Sequence, residues 1–69
     1  MPIVEVKILE GRTTGQKKLL AQALSDAVVN VLHVHREHVT VIVEEFSPKQ
    51  WMRGGQLLSE EPLAPGSDD

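Results

Sequence analysis

The chain has 69 residues with ten acids, seven bases, a formal net charge of −3 and no cysteine. One small domain is all this length allows, and its core is marginal unless something staples it. Disulfides and thiolate metal sites are excluded by composition, a nucleic-acid binder's basic stripe is missing, and no apolar run approaches the roughly 18 residues of a membrane span, so oligomerisation is the remaining route to stability.

Residues 2–9 read as a strand. Val4, Val6 and Ile8 share one face and Ile3, Glu5, Lys7 and Leu9 the other, so both faces carry apolar residues. With this strand starting at Pro2, no signal peptide is expected ahead of the domain, and the default compartment is cytoplasmic. Residues 10–12 (Glu-Gly-Arg) form a turn. Thr13 and Gln16 have capping-box spacing and open a helix that runs to about Leu32. Leu19, Leu20, Ala23, Leu24, Ala27, Val28, Val31 and Leu32 recur at three and four residues as one apolar stripe. Lys17, Lys18, Gln22, Ser25, Asp26 and Asn30 fall largely on the wet side.

A polar connection, residues 33–38, leads into a second strand at 39–46. Ser47-Pro48 stops it, and 48–52 has the makings of one helical turn with proline at its start. Gly54-Gly55 signals a turn and 56–59 a short edge strand, which together suggest a small C-terminal hairpin. Residues 1–59 make the domain. From Glu60 onward two prolines, a glycine, four acids and only two apolar residues indicate a disordered acidic tail, 60–69. The order strand, helix, strand gives an α+β class: a single β-α-β unit with parallel strands joined by a right-handed crossover. One helix covers one face of such a sheet. The other face is apolar and open, so pairing into a larger sheet within an oligomer is expected.

Pro2 is the first candidate for chemistry. Removal of Met1 would leave a free secondary amine, whose pKa burial or a neighbouring cation would draw down toward neutrality, as proton shuttling requires. Taken alone, Pro2 is more simply read as the start of an edge strand where no donor is needed. The wider pattern decides between the two. Pro2-Ile3, then Ile8-Leu9-Glu10-Gly11-Arg12, a capped helix with Gln16-Lys17, the strand Val39-Thr40-Val41-Ile42-Val43-Glu44-Glu45, and Gly54-Gly55 together resemble the 4-oxalocrotonate tautomerase family over residues 2–58. The Leu-Glu-Gly-Arg segment at fixed distance from Pro2 is the specific part.

That resemblance implies subunits that pair into four-stranded sheets, three pairs making a hexamer. It also implies proton transfer on enol and keto acids by the amino-terminal proline, without metal or cofactor. Pro2 would take a proton from a dienol and return it to a distant carbon. Arg12 matches the arginine that holds a substrate carboxylate, a task suited to the planar guanidinium fork. Trp51 stands where the family has an aromatic, usually phenylalanine; a ring there would exclude water from the amine or pack an interface. Thr40 departs from the pattern, since well-known members carry a second arginine at this strand position to bind the oxo or hydroxyl end of the substrate. Arg53, or failing that Arg36, could supply the missing cation from a neighbouring subunit.

Other residues invite other readings. His33, His35 and His38 could suggest zinc, but they sit in one short connection without further ligands. Glu44 and Glu45 are strand neighbours on opposite faces, which makes them interface residues, not a catalytic dyad. Phe46 and Met52 read as packing. The expected function is therefore a cofactor-free tautomerase acting on a small enol or 2-oxo acid as a homohexamer, with no nucleic acid or membrane partner. The alternative is a partner subunit of a hetero-oligomer that does not act alone. A hydrolytic dehalogenase or hydratase ranks last, because residues 47–58 hold no carboxylate to activate water.

Overall fold

The computed structural model of the chain describes residues 1–60. Strand β1 (Ile3–Leu9) leads through a turn to helix α1 (Thr14–Leu32), and a single 3-10 turn (Arg36–His38) precedes strand β2 (Thr40–Phe46). Two short strands, β3 (Met52–Arg53) and β4 (Gln56–Leu57), form an antiparallel hairpin, and a 3-10 turn at Leu58–Glu60 follows. β1 and β2 are parallel and pair from Ile3↔Thr40 to Leu9↔Phe46 without a bulge. The β-α-β unit and C-terminal hairpin expected from the sequence are therefore both present. The acidic tail lies outside the described residues except for Glu60, which closes the last 3-10 turn. Among the described residues, no helix is long and apolar enough to cross a membrane.

Two local devices set the entry to α1. Gly11 has φ +117°, a conformation that a side chain rarely tolerates, and it turns the chain out of β1. Thr13 then caps the helix: its hydroxyl accepts from Gln16 N–H (3.0 Å), and the Gln16 side-chain oxygen accepts from Thr13 N–H (3.0 Å), closing the capping box. At the other end His33 adopts the left-handed conformation (φ 57°) and donates its N–H to the Val29 carbonyl at 2.9 Å.

The parallel register assigns the faces. Val4, Val6 and Ile8 align with Val41, Val43 and Glu45, and Lys17 of α1 reaches Glu45 at 2.8 Å, so this is the helix-covered face. On α1, Leu20, Ala21, Leu24, Val28 and Val29 are half-buried beneath the sheet, together with Lys17 and Ser25. The helix stripe read from the sequence needs correction here. Leu19, Ala23, Ala27, Val31 and Leu32 are exposed, while Lys17 and Ser25, assigned to the wet side, lie in the covered row. The apolar arc is wider than one small sheet can cover, so half of it faces outward.

The opposite sheet face presents Ile3, Glu5, Lys7 and Leu9 beside Thr40, Ile42, Glu44 and Phe46. Lys7 and Glu44 form an exposed ion pair there at 3.0 Å. Glu44 and Glu45 do point to opposite faces, but each is paired with a lysine of its own chain. Among the described residues none is fully buried, and Ile3 and Ile42 stand 61% and 43% exposed on the open face. A single chain with no buried residue among those described has little core of its own, which agrees with the expectation from the sequence that it pairs with other subunits.

The C-terminal segment departs from expectation at two points. In place of the helical turn expected over 48–52, residues 47–50 form a turn closed by Gln50 N–H donating to the Ser47 carbonyl (2.9 Å). Gly54 and Gly55 both have positive φ (61° and 81°), which is the twist a two-residue hairpin requires, so Met52 and Arg53 are drawn into β3 to pair with Gln56 and Leu57. The edge strand expected over 56–59 consequently ends at Leu57. Leu58 N–H donates to the Trp51 carbonyl (2.8 Å) and Ser59 N–H to the Pro48 carbonyl (3.1 Å), folding the hairpin back onto the preceding turn.

Candidate active site

The candidate residues fall into two groups at opposite ends of the sheet. Pro2 is half-buried and immediately precedes β1; its carbonyl accepts from Thr40 N–H at 3.1 Å. Thr40 opens β2 opposite Ile3, so Pro2 and Thr40 are neighbours. Arg12 lies beyond the other end of β1. Seven strand residues at about 3.3 Å each separate the groups by about 23 Å. Pro2 and Arg12 of one chain therefore cannot touch the same small substrate.

At the far end, Arg12 lines an open depression of about 240 Å³ with Ile8, Gln16, Lys17 and Leu20. Apolar Ile8 and Leu20 form part of its wall and two cations face it, which suits a small organic acid. Glycine at position 11 provides the turn that sets Arg12 just ahead of the cap of α1. Gln16 lines the depression while its side-chain oxygen remains engaged with Thr13. Lys17 was not singled out in the sequence, although a signal existed: it precedes Leu20, Leu24 and Val28 at the three- and four-residue spacing of the covered row, an unusual place for an ammonium group.

Trp51 belongs to this same end. Its ring meets the Phe46 ring edge to face, with centroids 6.2 Å apart and planes at 77°. Phe46 is held there by pairing with Leu9 and by the Glu10 N–H donated to its carbonyl at 2.8 Å. Lys7 Nζ lies 5.7 Å from the centre of the Phe46 ring. Phe46 is thus the platform that carries Trp51, and Met52 is exposed in the single chain.

Of the two cations weighed as substitutes at Thr40, Arg36 is engaged by α1. It pairs with Asp26 and donates from Nη2 to the Gln22 carbonyl at 3.4 Å. Arg53 is exposed in β3, opposite Gln56. The histidines have local roles: His33 ends α1, and the His35 and His38 rings meet edge to face at 5.6 Å. Among the described residues, no three histidine or carboxylate side chains come together as a metal would need.

Comparison with known proteins now adds to this geometry. A family model described as "Tautomerase enzyme" matches residues 2–61. A probable tautomerase from Bacillus cereus is 43% identical over 61 residues, covering 88% of this chain and all of that protein. Among solved structures, a 4-oxalocrotonate tautomerase homologue from the tomaymycin biosynthetic pathway, TomN, superposes with a TM-score of 0.83 at 39% identity, over 86% of this chain and 91% of that one. A heterohexamer 4-oxalocrotonate tautomerase from Chloroflexus aurantiacus superposes equally well (TM-score 0.83) at 38% identity, over 87% of this chain and 97% of that one.

Proposed function

Because the chain belongs to the tautomerase family, we propose that it is a cofactor-independent, cytoplasmic keto-enol tautomerase in which the Pro2 amine, freed by removal of Met1, is the general base. Tautomerisation is the activity that membership brings; the base, the substrate contacts and the assembly are the parts inferred. Pro2 takes a proton from the enol hydroxyl of a small enol acid and returns it to carbon, giving the ketone. Arg12 grips the carboxylate, and Trp51, carried on Phe46 at the same end of the sheet, shields the amine of a neighbouring subunit from water. Thr40, next to Pro2, offers a hydroxyl to the oxygen end of the substrate, and Arg53, two residues after Trp51 in β3, is the candidate for the missing cation.

The observation that carries this reading is the placement of Pro2 and Arg12 at opposite ends of β1. Two copies packed head to tail bring the Pro2 end of one sheet to the Arg12 end of the other. The same packing would cover apolar surface that one chain leaves open. The working enzyme is therefore an oligomer of paired subunits, a homohexamer in the simplest case. A hetero-oligomer is the second reading, favoured by the heterohexameric composition of the Chloroflexus relative. In that case this chain alone would assemble poorly or turn over slowly, and a companion chain would restore the rate.

The test compares protein with Met1 retained against protein with Met1 removed, each verified by intact mass, on simple enol acids. An amide nitrogen is not a base, so retention should abolish activity, while Pro2→Ala should keep a weak primary-amine rate. Equal activity of the two forms would overturn the proposal.

A further inference from the structure

Lys17 is a charged side chain drawn in among apolar ones at the edge of the Arg12 depression. It stands in the covered row of α1, its side chain 29% exposed, and its ammonium lies 2.8 Å from Glu45 Oε1 on β2. It lines the same depression as Arg12, together with the apolar Ile8 and Leu20. Gln16, the remaining polar side chain of that wall, has its oxygen held by the helix cap. The lysine stem covers apolar surface and its charged end stays at the rim, where Glu45 fixes it.

We propose that Lys17 is a further binding residue for the substrate carboxylate, and that Glu45 restrains it and weakens its pull. This rests on the tautomerase reading of the Arg12 depression. Arg12 supplies the directional fork; Lys17 adds a second positive charge beside it, divided between Glu45 and the incoming carboxylate. In the free protein the pair ties α1 to β2. With substrate bound, the ammonium is shared between two carboxylates.

The two partners then have opposite effects on binding. Removing Lys17 withdraws attraction, whereas removing the Glu45 charge releases Lys17 to the substrate. If the pair served only to tie helix to strand, both changes would break the same contact and act in the same direction. The experiment measures kcat and KM for an enol carboxylate and for its methyl ester in the Met1-free oligomer, using Lys17→Met, Lys17→Arg, Glu45→Gln and Pro2→Ala. Lys17→Met should raise KM for the acid about two- to fivefold, the range of a partly solvated charge pair, with kcat changed less and the ester hardly affected. Lys17→Arg should recover most of that loss. Glu45→Gln should lower KM for the acid about twofold, and both shifts should shrink in high salt. Should Lys17→Met fail to assemble, Glu45→Gln reads the sign without touching Lys17. KM moving the same way in Lys17→Met and Glu45→Gln, or acid and ester shifting equally, would overturn the role of Lys17 while leaving the tautomerase reading intact. Full acid turnover by Pro2→Ala would instead overturn that reading and this inference with it.

Discussion

Replacing Leu19 and Val31 together by glutamine separates an oligomer from a monomer. Both residues lie on the outward side of α1, 67% and 73% exposed in the single chain. If the chain worked alone, two exposed substitutions in a helix would be close to neutral, since glutamine is a good helix former. In an assembly that covers this stripe, burying the exposed two-thirds of each side chain contributes about 1–2 kcal/mol. The residues are about 18 Å apart along the helix, so their contributions should add. The sum is about 2–4 kcal/mol per subunit, and in a two-fold contact both copies lose it, a loss of at least about three decades in the dissociation constant. Sedimentation velocity from micromolar to millimolar protein reads this directly, alongside thermal unfolding at the same concentrations. The double variant should dissociate at concentrations where the wild type is fully assembled, and its melting should become strongly concentration-dependent. A double variant that sediments and melts as the wild type would refute burial of this stripe between subunits.

Three further outcomes are expected. Arg12→Ala should leave assembly intact and raise KM for a carboxylate substrate by one to two decades, from a loss of about 1.5–3 kcal/mol for a charged hydrogen-bond partner; an unchanged kcat/KM in the assembled variant would remove Arg12 from the site. Wild type should prefer monocarboxylate enols such as aryl enolpyruvates over 2-hydroxymuconate-like dicarboxylates, and Thr40→Arg should shift the kcat/KM ratio toward the dicarboxylate by at most about 1.5–3 kcal/mol, with a ratio already favouring the dicarboxylate and unmoved by the change pointing to Arg53 instead. Thr13→Ala breaks the capping box and should lower stability by about 1 kcal/mol in denaturant melts, while Thr13→Ser should restore most of it.

The unit of fold was legible because its signals are local. Thr13 and Gln16 announce the start of α1 by a hydrogen-bond pattern that depends only on their spacing, and alternating valines mark the strands that the parallel register joins. The C-terminal segment was harder because two local preferences compete: Pro48 favours a helical turn, but the Gly54-Gly55 hairpin claims Met52 four residues later. The helix stripe could not be divided from the sequence. Leu19 and Leu20 are equally apolar, and which of them faces the sheet is fixed by the exit angle after Gly11, a tertiary matter. The spacing of Lys17 to Leu20, Leu24 and Val28 hinted at its covered place, but its partner Glu45 is 28 positions away and only the fold brings the two together. Pro2 and Arg12 were readable as candidates at the two ends of one predicted strand; the structure added the register that sets Thr40 beside Pro2 and the depression that Arg12 lines.

The central claim is that the nitrogen of Pro2 is a titrating amine that moves the proton. A nitrogen-15 NMR titration of Pro2-labelled protein, run beside the pH profile of kcat/KM on the same sample, tests it most directly. The account predicts a titrating secondary amine whose midpoint coincides with the acid limb of kcat/KM, activity being lost as pH falls and the amine takes up its proton. A Pro2 nitrogen that does not titrate across the limb, in protein that turns over fully, would contradict it.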